Sequence, residues 1–218
     1  MNASASTSIT WKEELLLHDN SKTIIERTQK FGNRPSLDSN ERIVIEERWD
    51  FQIPGTNNKI SWSTGFANPP EASGLMLMQV NFLDGVPYIA SSPAGTLSYN
   101  HWGRPNPPYV FFKYDDKDWR RIPLADFPAE FIESNVVVGG RANPEQQAGK
   151  TLAIAKVKEA NRPLDTYLRQ IVRQPITQGD GVWLSPVMVY DGKGTWASPG
   201  GFTAPEPPPS RQPATVGR

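Results

Sequence analysis

Between Thr10 and Ala90, apolar and polar side chains alternate in short runs that stop at clusters of Asp, Asn, Gly and Pro. A period of two places successive side chains on opposite faces of an extended chain, so this stretch must build sheet with one buried and one wetted face. Thr10–Leu17 and Lys22–Arg27 flank His18-Asp19-Asn20-Ser21, whose Asp and Asn tolerate the left-handed conformations of a tight turn. From Arg42 to Ile53 one face carries Ile43, Ile45, Trp49, Phe51 and Ile53, the other Val44, Glu46, Arg48, Asp50 and Gln52. Glu47 interrupts the apolar face, at its rim or on a bulge. Turn residues Pro54–Asn58 then lead into Lys59–Thr64, with Ile60 and Trp62 on one face, which completes a second hairpin.

Leu75–Leu83 alternates Met76, Met78, Val80 and Phe82, and Asp84-Gly85 signals a type I′ turn before Val86–Ala90. Tyr109–Tyr114 and Trp119–Leu124 pair around Asp115–Asp118, and a strand follows over Asn135–Val138. The period changes near the C-terminus: Ile154, Val157, Leu164, Leu168 and Ile171 recur at three- and four-residue steps, with Asn161 filling the missing place. This predicts a helical segment over 144–173, made of two helices that meet near Asn161 because Pro163 suits a first turn but not a helix interior. Val182–Tyr190 and Thr195–Ala197 bracket Asp191-Gly192-Lys193-Gly194 as a last hairpin.

The expected fold is therefore mainly β: an antiparallel sandwich or open barrel built from hairpins, with one helical segment. It divides into a flexible N-terminal segment 1–8, a single β-rich domain 9–198 and a proline-rich tail 199–218. Six prolines in those last twenty residues leave almost nothing to bury, so the tail is expected to be flexible or bound to a partner.

Lysine plus arginine and aspartate plus glutamate both total 23, so no net field attracts polyanions, and nucleic acid is not an expected partner. The absence of cysteine removes disulfides, thiolate nucleophiles and Cys-ligated metals. No apolar run approaches the ~20 residues of a membrane-spanning helix. Met1–Ser8 has neither the basic nor the apolar region of an export signal, so the expected location is cytoplasmic or virion-associated, or the bacterial envelope if a leader was removed.

Gly149-Lys150-Thr151 ahead of a helical pattern resembles a phosphate-binding loop, but the glycine five residues before the GK pair is here Pro144, which has no amide hydrogen to offer a phosphate. His18 falls in a predicted turn and is expected to be exposed. His101 lies in Tyr99-Asn100-His101-Trp102-Gly103-Arg104, which mixes aromatic faces with amide and guanidinium donors. Together with Tyr109, the residues Tyr99, Asn100, His101, Trp102 and Arg104 are the candidate binding residues; the same loop can instead be packed by its own rings. Arg104-Pro105-Asn106-Pro107-Pro108-Tyr109 is expected to run extended into the next strand. Glu13-Glu14, Glu46-Glu47 and Asp115-Asp116 are adjacent on strands or turns, so neither member faces the other, and solvated charge is the plain reading. No residue is assigned a catalytic or metal role, and no cofactor is expected.

Thr10–Asp19 and the stretch SPAGTLSYNHWGRPNPPYVFFKYDDKDWRRIPLADFPAEF from Ser92 to Phe131 resemble a family of β-rich bacterial proteins to which no activity is assigned. The resemblance covers about half the chain. It implies a bacterial or bacteriophage origin; members of the family often begin with an export or lipoprotein signal, which this sequence lacks. The expectation for function is a non-enzymatic binding or structural module that presents its loops and tail to a protein partner or to neighbours in a larger assembly. The alternative is a carboxylate-dependent enzyme or binding protein acting on cell-envelope glycans or peptides, for which two carboxylates must converge in a cleft.

Overall fold

The structure, a computed structural model, describes residues 7–35, 42–66, 72–176, 187, 189–190 and 196–197. Strands β1 (Thr7–Leu16), β2 (Lys22–Pro35), β3 (Arg42–Gln52) and β4 (Lys59–Gly65) pair antiparallel in sequence order. The short β9 (Thr151–Leu152) adds to β1 in parallel and gives a five-stranded sheet in the order β4-β3-β2-β1-β9. A second, four-stranded sheet runs β5 (Leu75–Leu83), β6 (Val86–Pro93), β7 (Val110–Tyr114) and β8 (Trp119–Ile122), all antiparallel. β1 begins at Thr7, so Thr7 and Ser8 belong to the sheet rather than to a loose leader. Each predicted hairpin turn among these strands is present, and Asp84 and Gly85 adopt φ of 51° and 77°, the paired left-handed conformations that a type I′ turn demands.

The sheets face each other across a core that takes Leu15, Ile25, Trp49, Phe51 and Trp62 from the first and Leu77, Val80, Phe82, Ile89 and Phe112 from the second. Phe51 meets Phe82, and Trp62 meets Phe112, each with ring centroids 6.0 Å apart. The sheets do not close into a barrel, and the fold is a sandwich. On one side two indoles cap backbone carbonyls: Trp119 Nε1 donates to Ser61 O of edge strand β4 at 2.8 Å, and Trp102 Nε1 donates to Ser73 O at 2.9 Å. Each satisfies a carbonyl that would otherwise need water or a foreign strand.

The second sheet is buried on its other face as well. Met78, Tyr88, Ala90, Tyr109 and Phe111 pack there against Phe127, Phe131, Val138, Leu164 and Ile171. A bulge at Met78 makes this possible, because one extra residue reverses the alternation along β5. Leu75, Leu77, Val80 and Phe82 therefore face the first sheet while Met78 turns away, whereas strict alternation groups Met78 with Val80 and Phe82. Likewise Ile43 and Ile45, expected on the buried face of β3, are 49% and 37% exposed, since a register shift near Phe31 carries this end of the β2–β3 hairpin off the core.

One further expectation is corrected and another is refined. Asn135–Val138 is not a strand: its valines are wholly buried, but apart from Asn135 N, which donates to Met78 O of β5 at 3.2 Å, its backbone is held by side chains. Val137 N donates to Glu13 Oε2 (2.8 Å) and Val138 N to Asn161 Oδ1 (3.0 Å), while Asn161 Nδ2 donates to Val136 O (2.7 Å) and Arg27 Nη1 to Val137 O (2.7 Å). The 144–173 segment does hold two helices that meet near Asn161, but they are short and do not fill it. After α1 (Thr96–His101), the helices are α2 (Pro144–Gln147), α3 (Ile154–Asn161) and α4 (Thr166–Arg169), with β9 interrupting the series. Asn161 does occupy the buried stripe, because its amide is needed there. Val189–Tyr190 (β10) and Trp196–Ala197 (β11) pair antiparallel as the last hairpin predicts. The rest of that hairpin, residues 1–6 and the 199–218 tail lie outside the described residues.

Candidate functional site

The six candidate residues between Tyr99 and Tyr109 gather at one end of the second sheet, but not all of them face solvent. Gly95, at φ 92°, turns the chain from β6 into α1. Tyr99 is buried, its hydroxyl donating to Pro105 O at 3.0 Å, and the Arg104 guanidinium lies 4.7 Å from its ring centroid while Nη1 donates to Asn100 Oδ1 at 2.8 Å. Burial pushes the Tyr99 phenol above its ordinary pKa, with Arg104 pulling the other way. Trp102 packs edge-on against Phe112 (5.8 Å), and the Arg121 guanidinium lies over the Trp102 ring, 5.6 Å from its centroid. Arg121 Nη2 also donates to Trp102 O at 3.0 Å. His101 is exposed and touches the Trp102 ring edge. Tyr109 is buried beneath the loop; its hydroxyl donates to Gln170 O (3.3 Å) and accepts from Val172 N (3.2 Å). Burial pushes this phenol up to about 12, against the opposing effect of the Val172 N–H. Tyr99 and Tyr109 thus build the loop from beneath, and Asn100, His101, Trp102 and Arg104 form its accessible part.

A groove of about 440 Å³ runs beside this loop between Pro105, Pro107 and Tyr109 on one side and Arg121, Ile122 and Leu124 on the other. The proline run that feeds it bends over 106–108 and contains a cis Asn106–Pro107 peptide, rather than lying extended throughout. Asn106 makes two hydrogen bonds with one distant residue: Nδ2 donates to Ile176 O (2.9 Å) and Ile176 N donates to Oδ1 (2.7 Å). Ile176, the last residue of the described 72–176 stretch, is thereby fixed next to the loop. Arg121, Ile122, Leu124 and Asn106 carry no sequence signal of their own; β8 reaches the loop only through the β6–β7–β8 pairing.

A second cleft, of about 220 Å³, lies where the β1–β2 turn meets β5, the 130–135 connection and α3. His18, expected to be exposed, is half-buried here. Its ring meets Phe131 edge-on at 4.8 Å, its backbone N donates to Asn81 Oδ1 at 3.0 Å, and Nδ1 stands 3.4 Å from the same oxygen. Buried Gln79 borders this cleft.

Carboxylates do converge, though in the core. Glu13 and Glu47, 0% and 4% exposed, both meet the buried Arg27: Nη1 lies 3.3 Å from Glu13 Oε1 and Nη2 2.7 Å from Glu47 Oε1. Arg27 is stacked between its cross-strand neighbours Trp11 and Trp49, at 5.1 and 5.3 Å from their ring centroids, and Nη2 also donates to Gly139 O. Burial works against the guanidinium charge, but the carboxylates of Glu47 and Glu13 outweigh it and hold the pKa above its ordinary value. Trp11 Nε1 donates to Glu13, and Gln29 Nε2 to Glu47. Glu13 and Glu47 are not the solvated charges that their sequence context suggests: both are buried and paired with Arg27.

Lys150 leads into β9 rather than a helix, and its Nζ donates to Gln146 O. Among the described residues no three His, Cys, Asp or Glu side chains are grouped to hold a metal ion, and no helix is long and apolar enough to cross a membrane. No family model, curated protein or solved structure matches the chain.

Proposed function

We propose that the chain is a non-enzymatic binding module in which the sandwich presents the Tyr99–Tyr109 loop, together with the proline-rich tail, to one protein partner. The observation that carries this reading is the double hydrogen bond between Asn106 and Ile176. It joins two stretches that are 70 residues apart in sequence, so a partner touching both gains from a single preformed surface. The exposed His101 and the groove along Ile122 and Leu124 supply the mixture of polar and apolar contact that partner surfaces use. The resemblance to β-rich bacterial proteins makes a bacterial or bacteriophage assembly the setting of this proposal.

Photo-crosslinking residues placed at His101 and at Pro123 in the full chain, in the cells that produce it, test the reading. Both positions are expected to yield the same adduct of defined mass, and Ser63 on the outer face of the first sheet none. Asn106→Ala should weaken the adduct without unfolding the chain. The same products from Ser63, or none from either loop position, would contradict the proposal.

A further inference from the structure

Resting on the partner reading, we propose that the groove beside the Tyr99–Tyr109 loop takes an acidic segment of the protein partner. A carboxylate of that segment meets Arg121, and an apolar side chain next to it lies along Ile122 and Leu124.

The charge around the groove has one sign. From Gly85 to Tyr114, the stretch that carries the loop and one wall of the groove, the chain has no Asp or Glu, while Arg104 and Lys113 are cationic. Among the described residues that line the groove, Arg121 is the one that carries charge; the acids that flank it in sequence, Asp118 and Asp126, are not in the lining. Arg173 adds a second positive charge at the Leu124 wall, because its Nη2 donates to the main-chain oxygens of Leu124 and Phe127. Neither Arg121 nor Arg173 has a carboxylate at ion-pair distance among the described residues, whereas Arg48 pairs with Asp50 and Arg120 with Asp115. A chain with no net charge thus keeps uncompensated cations here, and an acidic segment complements them.

Arg121 is also held in place before any partner arrives. Its guanidinium lies 5.6 Å from the Trp102 ring centroid and its Nη2 donates to Trp102 O at 3.0 Å, which leaves Nε and Nη1 without a bond among the described residues. A guanidinium stacked on a ring and anchored by one hydrogen bond loses little freedom on meeting a carboxylate, and its planar donors match the two carboxylate oxygens. The rest of the groove is apolar: Pro105 and Pro107 face Ile122 and Leu124, and the last two are only half-buried. A leucine- or valine-like side chain beside the carboxylate gains by covering them. A volume of about 440 Å³ holds a few side chains of an extended segment. A nucleic acid would bring phosphates to these apolar walls without a matching row of cations.

The experiment sequences, by mass spectrometry, the peptide captured by a photo-crosslinking residue at Pro123 in the full chain. That stretch is then synthesised and titrated into the purified full-length protein. An Asp or Glu beside the captured position is expected, and the affinity should fall as sodium chloride rises from about 50 to about 500 mM. Arg121→Glu should weaken binding at least about tenfold, and Arg121→Lys, which keeps the charge but not the planar donors, by less. Arg120→Glu makes the same change of net charge on the opposite face of β8 and should leave the affinity within about twofold. Unchanged thermal unfolding of each variant shows that the fold is kept. A captured stretch without an acid, an affinity indifferent to salt, or equal effects of Arg121→Glu and Arg120→Glu would overturn the acidic segment and leave the partner reading standing. So would capture of residues 199–218 of the same chain or of a second copy. No adduct from either His101 or Pro123 removes the partner reading itself, and the acidic segment with it.

Discussion

Arg27 holds two buried carboxylates and two main-chain carbonyls at once, and replacing it with leucine strands all four. Removing one partner of a buried ion cluster leaves uncompensated charge, so Arg27→Leu should lower the free energy of unfolding by about 3–5 kcal/mol in urea denaturation. The triple change Glu13→Gln, Arg27→Leu, Glu47→Gln should recover a substantial part of that loss, because no charge then remains to be desolvated. Tyr109 offers a pH test. Its phenol ionises at about 12 in the folded chain against an ordinary value of 10.0, so the folded state holds the proton more tightly than the unfolded one. Its contribution is complete below pH 10 and is lost as pH rises from there through about 12. Tyr109→Phe should remove that alkaline decline and cost about 1 kcal/mol at neutral pH through its two lost hydrogen bonds. In the sequence, Glu47 stands out as an interruption of an apolar face, but Arg27 does not. Its place between Trp11 and Trp49 exists only after two hairpins are brought into register.

Among the elements, the hairpins were legible because turn chemistry and alternation agree, as at Asp84-Gly85. The places where reading by pattern fails are those where side chains replace the backbone as hydrogen-bonding partner. Asn135 is one: beside β5 its Oδ1 accepts from Val80 N and its Nδ2 donates to Val80 O, which imitates a neighbouring strand. Three consecutive valines after it look like a strand in sequence, yet they owe their positions to Glu13, Arg27 and Asn161. Asn135→Ala should therefore cost about 1–3 kcal/mol and selectively increase hydrogen exchange at Val80, whereas a surface change such as Ser63→Ala should do neither. The helical pattern over 144–173 was sound in its apolar spacing and wrong in its continuity, since Thr151 and Leu152 leave the helix to pair with β1.

At the scale of the molecule, two sheets enclose one core, and the outer face of the second sheet is covered by the 124–138 connection and by residues of α4 and the links on either side of it. The candidate loop was legible from its mixture of rings and donors. The groove beside it and the His18 cleft were not, because both are assembled from segments that only the packing of these layers brings together. The central claim is that side chains, rather than strand pairing, fix the 135–138 connection that completes the sandwich and borders the cleft. Native-state hydrogen exchange measures this directly. The amides of Val137 and Val138, bonded to Glu13 and Asn161, should exchange as slowly as those of central β2, although they belong to no strand. Exchange of these two amides at the rate of an exposed loop, while β2 stays protected, would contradict the account.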